Sequence, residues 1–178
     1  MEESQLIEGC LRGESWAQKA MYEQHASAMM SICKRYAGNR ETARDLLHDG
    51  FIKLFAKIKD FSGKGSFNGW MKKVFVTTAL EHLRRKDVLR KSIDVETMNE
   101  QVEDFDVSPF DHLTSEDLMS CIAQLPDKYR TVFNLHAIEG YTFAEIAREI
   151  EINESTARTY YAKARQRLQK MVMEKVDN

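Results

Sequence analysis

Proline is nearly absent from this chain: Pro109 and Pro126 are the two in 178 residues. A ring that removes a backbone N–H and breaks helices is thus kept out of the first hundred positions, and long helices meet no obstacle there. Cysteine is equally scarce. Cys10, Cys33 and Cys121 are odd in number and far apart, with no second cysteine or histidine at a ligand-like spacing. That pattern argues against a disulfide framework and against the paired ligands of a structural zinc site. The three read as reduced, small core hydrophobes. No run of eighteen apolar residues occurs, and the opening MEESQLIEGC has no basic segment ahead of an apolar one. Neither a membrane span nor a signal peptide is expected, which leaves a cytoplasmic protein without membrane insertion.

Positive charge is also short, with a net charge of −2, but the deficit is local. Between residues 92 and 118 there is no lysine or arginine, while Asp94, Glu96, Glu100, Glu103, Asp104 and Asp106 crowd the same stretch. This segment has no sustained period of 3.6 or 2, and it reads as an extended acidic linker. Basic faces on either side are offset only in the sum, and a ligand responds to the local field. The expected organisation is a first domain over 1–91, a linker over 92–114 and a second domain over 115–178.

What is present is helical. Leu47, Phe51, Leu54, Phe55 and Ile58 follow one another at spacings of a single buried helical face, with His48, Asp49 and Ile52 on another. Residues 15–37 form a long alanine- and methionine-rich helix that ends at Gly38, and Asn39 is placed to cap the next one. A further helix is expected from Ser66 to about Lys86. Its apolar side holds Phe67, Met71, Val74 and Phe75, and Trp70, Lys73, Thr77 and Arg84 recur along a different stripe. No convincing period-2 strand occurs, so the fold class is all-α, with two small helical domains.

In the second half, Leu125-Pro126 separates two short helices, and Gly140 ends the second. Thr142 and Glu145 make a T-x-x-E capping box ahead of FAEIAREI, and Asn153 stands before ESTARTYY. Two helices joined by a tight turn result. In the last helix Ala157, Tyr161, Ala164, Leu168 and Met171 form a packing stripe, which turns Tyr161 inward and Tyr160 outward. The free side carries Thr156, Arg158, Thr159, Lys163, Gln166 and Lys170. Short polar and cationic groups on the first turns are what a major-groove reading helix needs.

Enzyme motifs fail on spacing. SGKGS lacks the order of a phosphate-binding P-loop, and there is no H-E-x-x-H and no G-x-S-x-G. His48 and Asp49 are adjacent, and adjacent helical residues point about 100° apart, so they do not form a catalytic pair. No catalytic residue, cofactor or metal is expected. Two other classes stay open on the residues alone: a dimeric helix-turn-helix operator-binding regulator, and an all-helical adaptor with no basic reading face.

Residues 125–170, LPDKYRTVFNLHAIEGYTFAEIAREIEINESTARTYYAKARQRLQK, resemble the second domain of extracytoplasmic-function sigma factors, promoter-recognition subunits of bacterial RNA polymerase. DLLHDGFIKLFAKI and FSGKGSFNGWMKKVFVTTALEHLRRK are similar to that family's first domain. The resemblance implies three contact sets. The minus-35 promoter duplex would meet Arg158, Thr159, Tyr160 and Lys163, with His136, Phe143 and the N–H groups near Ser155 and Thr156 on phosphates and Arg165 and Arg167 adding charge. The minus-10 region, opened so that a base leaves the stack, would meet Phe61, Lys64, Ser66 and Asn68 of a base-capturing loop and Lys72, Lys73, Thr77, Arg84 and Arg85 beside it. Core polymerase would be gripped through Asp45, His48, Asp49 and Ile52. An anti-sigma factor is the further partner the resemblance implies. Four departures accompany it: Thr77 where many members have asparagine, His48 and Asp49 where many have glutamine and glutamate, Glu151 where many have glycine, and Ala162 where some have an aromatic residue.

Overall fold

The computed structural model describes residues 2–86 and 114–176. Among them are eight α-helices and no strand, as the periodicity predicts. The chain divides into two compact units, Met1–His82 and Leu83–Asn178. The acidic linker predicted over 92–114 lies outside the described residues except for Thr114, and so does the boundary after residue 91.

The first unit is built from α1 (Glu3–Leu11), α2 (Ser15–Ala37), α3 (Arg40–Lys57) and all but the last three residues of α4 (Phe67–Arg85). Gly38 ends α2 in the left-handed conformation at φ 74°, where a side chain would strain the backbone, and Asn39 then caps α3 by accepting from the Thr42 N–H at 2.8 Å. One short 3₁₀ turn, Ile58–Asp60, closes α3. Met21, Met29, Tyr36, Leu46, Leu54, Phe67, Met71 and Phe75 are buried between the helices. α3 and α4 approach closely at Gly50, where a Cβ would lie 2.2 Å from the Phe75 ring. Glycine in the middle of α3 is therefore a packing requirement, although it costs helix propensity.

Helix α1 has no counterpart in the sequence reading. It buries Leu6, Gly9 and Cys10, and a Cβ on Gly9 would stand 2.5 Å from that of Ala17 on α2. So short a buried stripe gives periodicity little to register.

The second unit contains α5 (Ser115–Gln124), α6 (Asp127–Phe133), α7 (Phe143–Ile150) and α8 (Glu154–Val176). Thr114 caps α5 by accepting from the Asp117 N–H, and Pro126 stands just before α6. A π turn over Asn134–Ile138 continues α6, a widening that the sequence did not announce. Gly140, at φ 77°, then reverses the chain. The Thr142–Glu145 capping box forms in full. Glu151 closes α7 at φ 56°, the one non-glycine residue at positive φ among those described. Cys121, Ile122, Leu125, Tyr129, Ala164, Leu168 and Val172 form one core cluster of this unit, and Val132, Leu135, Ile146, Ile150 and Ala157 are buried as well. The packing stripe of α8 thus extends to Val172, while Tyr161 and Met171 are only half-buried.

All three cysteines are free and buried. Burial pushes the Cys33 thiol up to about 12, which keeps it protonated and unreactive.

Candidate nucleic-acid and polymerase interface

On α3, Asp45, His48 and Ile52 are exposed and Asp49 is half-buried. Their spacing of three, one and three residues places them along one side of the helix, opposite the buried Leu47, Phe51 and Leu54. Ile52 is 55% exposed, a large apolar side chain surrounded by polar neighbours. Tyr22 of α2, also exposed, packs its ring 4.6 Å from that of Phe51. An apolar residue framed by carboxylates and an imidazole suits a protein partner better than open water.

The loop between α3 and α4 turns on two glycines, Gly63 at φ 73° and Gly65 at φ 82°. Both glycines have open space where a Cβ would project, so backbone conformation and not crowding selects them. Lys64, Ser66 and Asn68 are exposed, and the Ser66 hydroxyl accepts from the Gly69 N–H at 3.3 Å, which caps α4. Phe61 is half-buried. Its ring centroid lies 5.2 Å from Phe67 and 5.5 Å from Trp70, so three aromatics hold the loop against the start of α4. Phe67 is fully buried, as its apolar stripe predicts, and Trp70 keeps part of its surface open.

Beside Trp70 lies a cleft of about 210 Å³ whose walls include Lys53, Lys57, Lys73, Thr77 and Glu81. An ion pair from Lys53 to Glu81 ties α3 to α4 at this cleft. Lys72 and Lys73 are exposed and Thr77 is half-buried, with Arg84 and Arg85 exposed on the last turn of α4. Partly exposed aromatic surface next to lysines offers a contact for a base and counter-charge for its phosphate.

The second unit presents a second aromatic cluster. His136 stacks on Phe143 with centroids 4.1 Å apart and planes 19° apart, and Tyr161 meets the His136 ring at 4.6 Å. Phe133 stacks on the other end of Tyr161 at 5.9 Å. The π turn brings His136 Nδ1 to 2.8 Å from the Tyr141 carbonyl oxygen. A carbonyl only accepts, so Nδ1 carries the proton; donation to a phosphate from Nε2 then requires the doubly protonated ring. Phe143 has no side-chain donor at all. Only its backbone N–H, at the first position of α7, is suited to a phosphate.

Arg158 is held from two directions. Its guanidinium carbon lies 4.8 Å above the Phe143 ring, and one terminal nitrogen donates to the Glu154 carboxylate at 2.6 Å. Thr159 and Ser155 are exposed and Thr156 half-buried, with the Thr159 hydroxyl donating to the Ser155 carbonyl at 3.0 Å. Arg165 and Arg167 are exposed, whereas Lys163 is half-buried.

The expected split of the tyrosine pair needs correction. Tyr161 turns into the aromatic cluster, but Tyr160 is not a free outward group: its ring packs edge-on against Tyr129 at 5.5 Å and borders the core. The reason is a neighbour from α6. Lys128, buried despite its charge, sits 5.0 Å from the Tyr129 ring and 5.3 Å from the Tyr160 ring. Arg167 covers the Tyr129 ring at 5.1 Å, which gives this expected phosphate contact a packing role as well.

Sequence reasoning also missed Arg130. It is buried, donates to the Leu125 carbonyl at 2.7 Å and the Ala123 carbonyl at 3.3 Å, and pairs with Asp127. Those carbonyls belong to the C-terminal end of α5, so a guanidinium substitutes for the missing helical donors. Burial pulls the Arg130 pKa below its usual value, against the opposing charge of Asp127. The one available signal was Pro126-Asp127 followed three residues later by arginine at a helix start. Among the described residues no group of three or more histidine, cysteine, aspartate or glutamate side chains is placed to hold a metal, and no helix is long and apolar enough to cross a membrane.

Comparison with known proteins bears on both units. Residues 21–88 match the family model for Sigma-70 region 2, and residues 115–168 match that for Sigma-70, region 4. The chain is 27% identical over 164 residues to the ECF RNA polymerase sigma factor SigE of Mycolicibacterium smegmatis, covering 86% of this chain and 60% of that protein. It is 26% identical over 171 residues to the ECF RNA polymerase sigma factor SigW of Bacillus subtilis, covering 90% of this chain and 91% of that protein. Among solved structures, the sigma factor RpoE from Bartonella quintana, crystallised with the anti-sigma factor NepR, shares the fold with a TM-score of 0.51 at 20% identity, over 90% of this chain and 98% of that one. With both regions present in order, this chain belongs to the sigma-70 family and is an extracytoplasmic-function sigma factor, a promoter-recognition subunit of bacterial RNA polymerase.

Proposed function

We propose that this chain binds core RNA polymerase through the α3 face of Asp45, His48, Asp49 and Ile52 and directs it to promoters read at two places. Residues 1–91 act on the minus-10 region, residues 115–178 on the minus-35 element, and 92–114 join them. The observation that carries this reading is the division of α8. Ala157, Ala164, Leu168 and Val172 are buried, whereas Arg158, Thr159, Arg165 and Arg167 of the same helix are exposed. Such a face supplies directional donors for base edges and charges for phosphates. In the first unit the aromatic and lysine-lined cleft beside Trp70 supports capture of an extruded base, with Lys72, Lys73 and Thr77 alongside.

The role is non-catalytic and cytoplasmic, and needs neither metal nor cofactor. Control by an anti-sigma factor is supported by the family and by the Bartonella neighbour, which was crystallised with one. Two variants test the division of labour in the full chain. Ile52→Asp should abolish association with core polymerase in a pull-down, and Arg158→Ala should keep that association while flattening promoter choice. If Ile52→Asp still captures core polymerase at the native level, the α3 assignment is wrong. Unchanged promoter choice in Arg158→Ala would remove the assignment of α8.

A further inference from the structure

Arg158 is exposed, yet its guanidinium has partners on two sides. The Phe143 ring lies 4.8 Å beneath its guanidinium carbon, and Glu154, one helical turn earlier, accepts from one terminal nitrogen at 2.6 Å. Phe143 is itself fixed by the His136 ring stacked at 4.1 Å and by Tyr161 at 5.6 Å. The capping box begins α7 at this residue, so the backbone beneath the ring is fixed as well. A long side chain thus has a ring on one side and a carboxylate on another.

We propose that Phe143 and Glu154 set the base specificity of this chain by holding Arg158 as a preset guanine reader, without touching a base themselves. The inference rests on α8 being the minus-35 reading helix. A guanidinium pairs with guanine through two parallel donors aimed at O6 and N7, and that geometry requires the planar group to be aimed and not merely near. With one donor committed to Glu154, the guanidinium's other N–H groups remain available. Holding the rotamer in advance removes an ordering cost that an unconstrained arginine meets on binding. The same carboxylate discourages Arg158 from settling on any passing phosphate, so Glu154 favours the base contact over the non-specific one. Phe143 is accordingly a positioning residue, a role its apolar ring can perform and a phosphate contact is not.

The test uses the full chain bound to core polymerase and a pool of duplexes randomised across the upstream promoter element, with base preference read by sequencing the bound fraction. Arg158→Ala should flatten a guanine preference at one position, a bidentate contact of this kind being worth roughly five- to a hundredfold in discrimination. Phe143→Leu and Glu154→Gln should each weaken the preference at that same position, by at least about threefold, and leave other positions as they were. Phe143→Tyr keeps a ring face under the guanidinium and should retain the preference. In the Arg158→Ala background neither Phe143→Leu nor Glu154→Gln should change base preference further. The proposal is overturned if Phe143→Leu and Glu154→Gln leave that position intact while Arg158→Ala flattens it, or if they lower all positions evenly, as a purely structural role would. If Arg158→Ala alters no position, the reading of α8 falls first and this inference falls with it.

Discussion

Replacing Gly50 by alanine separates packing from propensity in α3, the helix that carries Asp45, His48, Asp49 and Ile52. In an unconstrained helix the change is favourable by about 1 kcal/mol, because alanine loses less backbone freedom. At this site the new methyl group would stand 2.2, 2.5 and 2.8 Å from three atoms of the Phe75 ring. No carbon pair tolerates such distances, so α3 and α4 must separate or the ring must move. Phe75 has little room, being 1% exposed and set edge-on against Phe51 at 5.2 Å. Overpacking of this kind costs about 1–3 kcal/mol, and set against a propensity gain of about 1 kcal/mol it leaves a net loss of up to about 2 kcal/mol. Both tryptophans, Trp16 and Trp70, lie in the first unit, and their fluorescence reports its unfolding without contribution from the second. A urea titration of the full chain should show a lower midpoint for Gly50→Ala with the slope unchanged. In a Phe75→Leu background, where the methyl finds space, the same substitution should turn neutral or stabilising. A Gly50→Ala chain as stable as the parent, or more so, would refute the close-contact account.

Two further outcomes concern the second unit. Glu151→Gly should stabilise it by about 0.5–1 kcal/mol in denaturation followed by circular dichroism, since relief of left-handed strain outweighs the entropy that glycine adds to the unfolded chain; a lower midpoint would show that the Glu151 side chain contributes more than its backbone costs. Arg130→Met should lower stability by about 2–3 kcal/mol in the same assay, because two carbonyls at the end of α5 lose their donor, and an unchanged midpoint would mean that the guanidinium is not serving as their cap.

Much of the fold was legible because its signals are local. Gly38, Asn39, Gly140 and the Thr142–Glu145 pair announce helix ends through their own backbone or side-chain chemistry, and each does so in the structure. The buried stripes of α3 and α8 were likewise readable from spacing alone. What escaped depends on partners distant in sequence. Tyr160 reads as an outward residue by helical angle, and only Tyr129 and Lys128 of α6 draw it against the core. Lysine and arginine default to solvent in any pattern reading, so burial of Lys128 and Arg130 could not be seen before the ring faces and helix carbonyls that receive them. Phe143 shows the same limit at the candidate site. Its position was singled out, but its work as a floor for Arg158 emerges only once α7 and α8 are set at their turn.

The most direct measurement of the central claim is transcription in vitro with the full chain, bacterial core polymerase and a library of genomic fragments. The account predicts transcripts with defined start sites that appear only when the chain is present and that share an upstream element whose selection is lost in Arg158→Ala. Failure of the chain to associate with core polymerase, together with start sites no different from those of core polymerase alone, would contradict it.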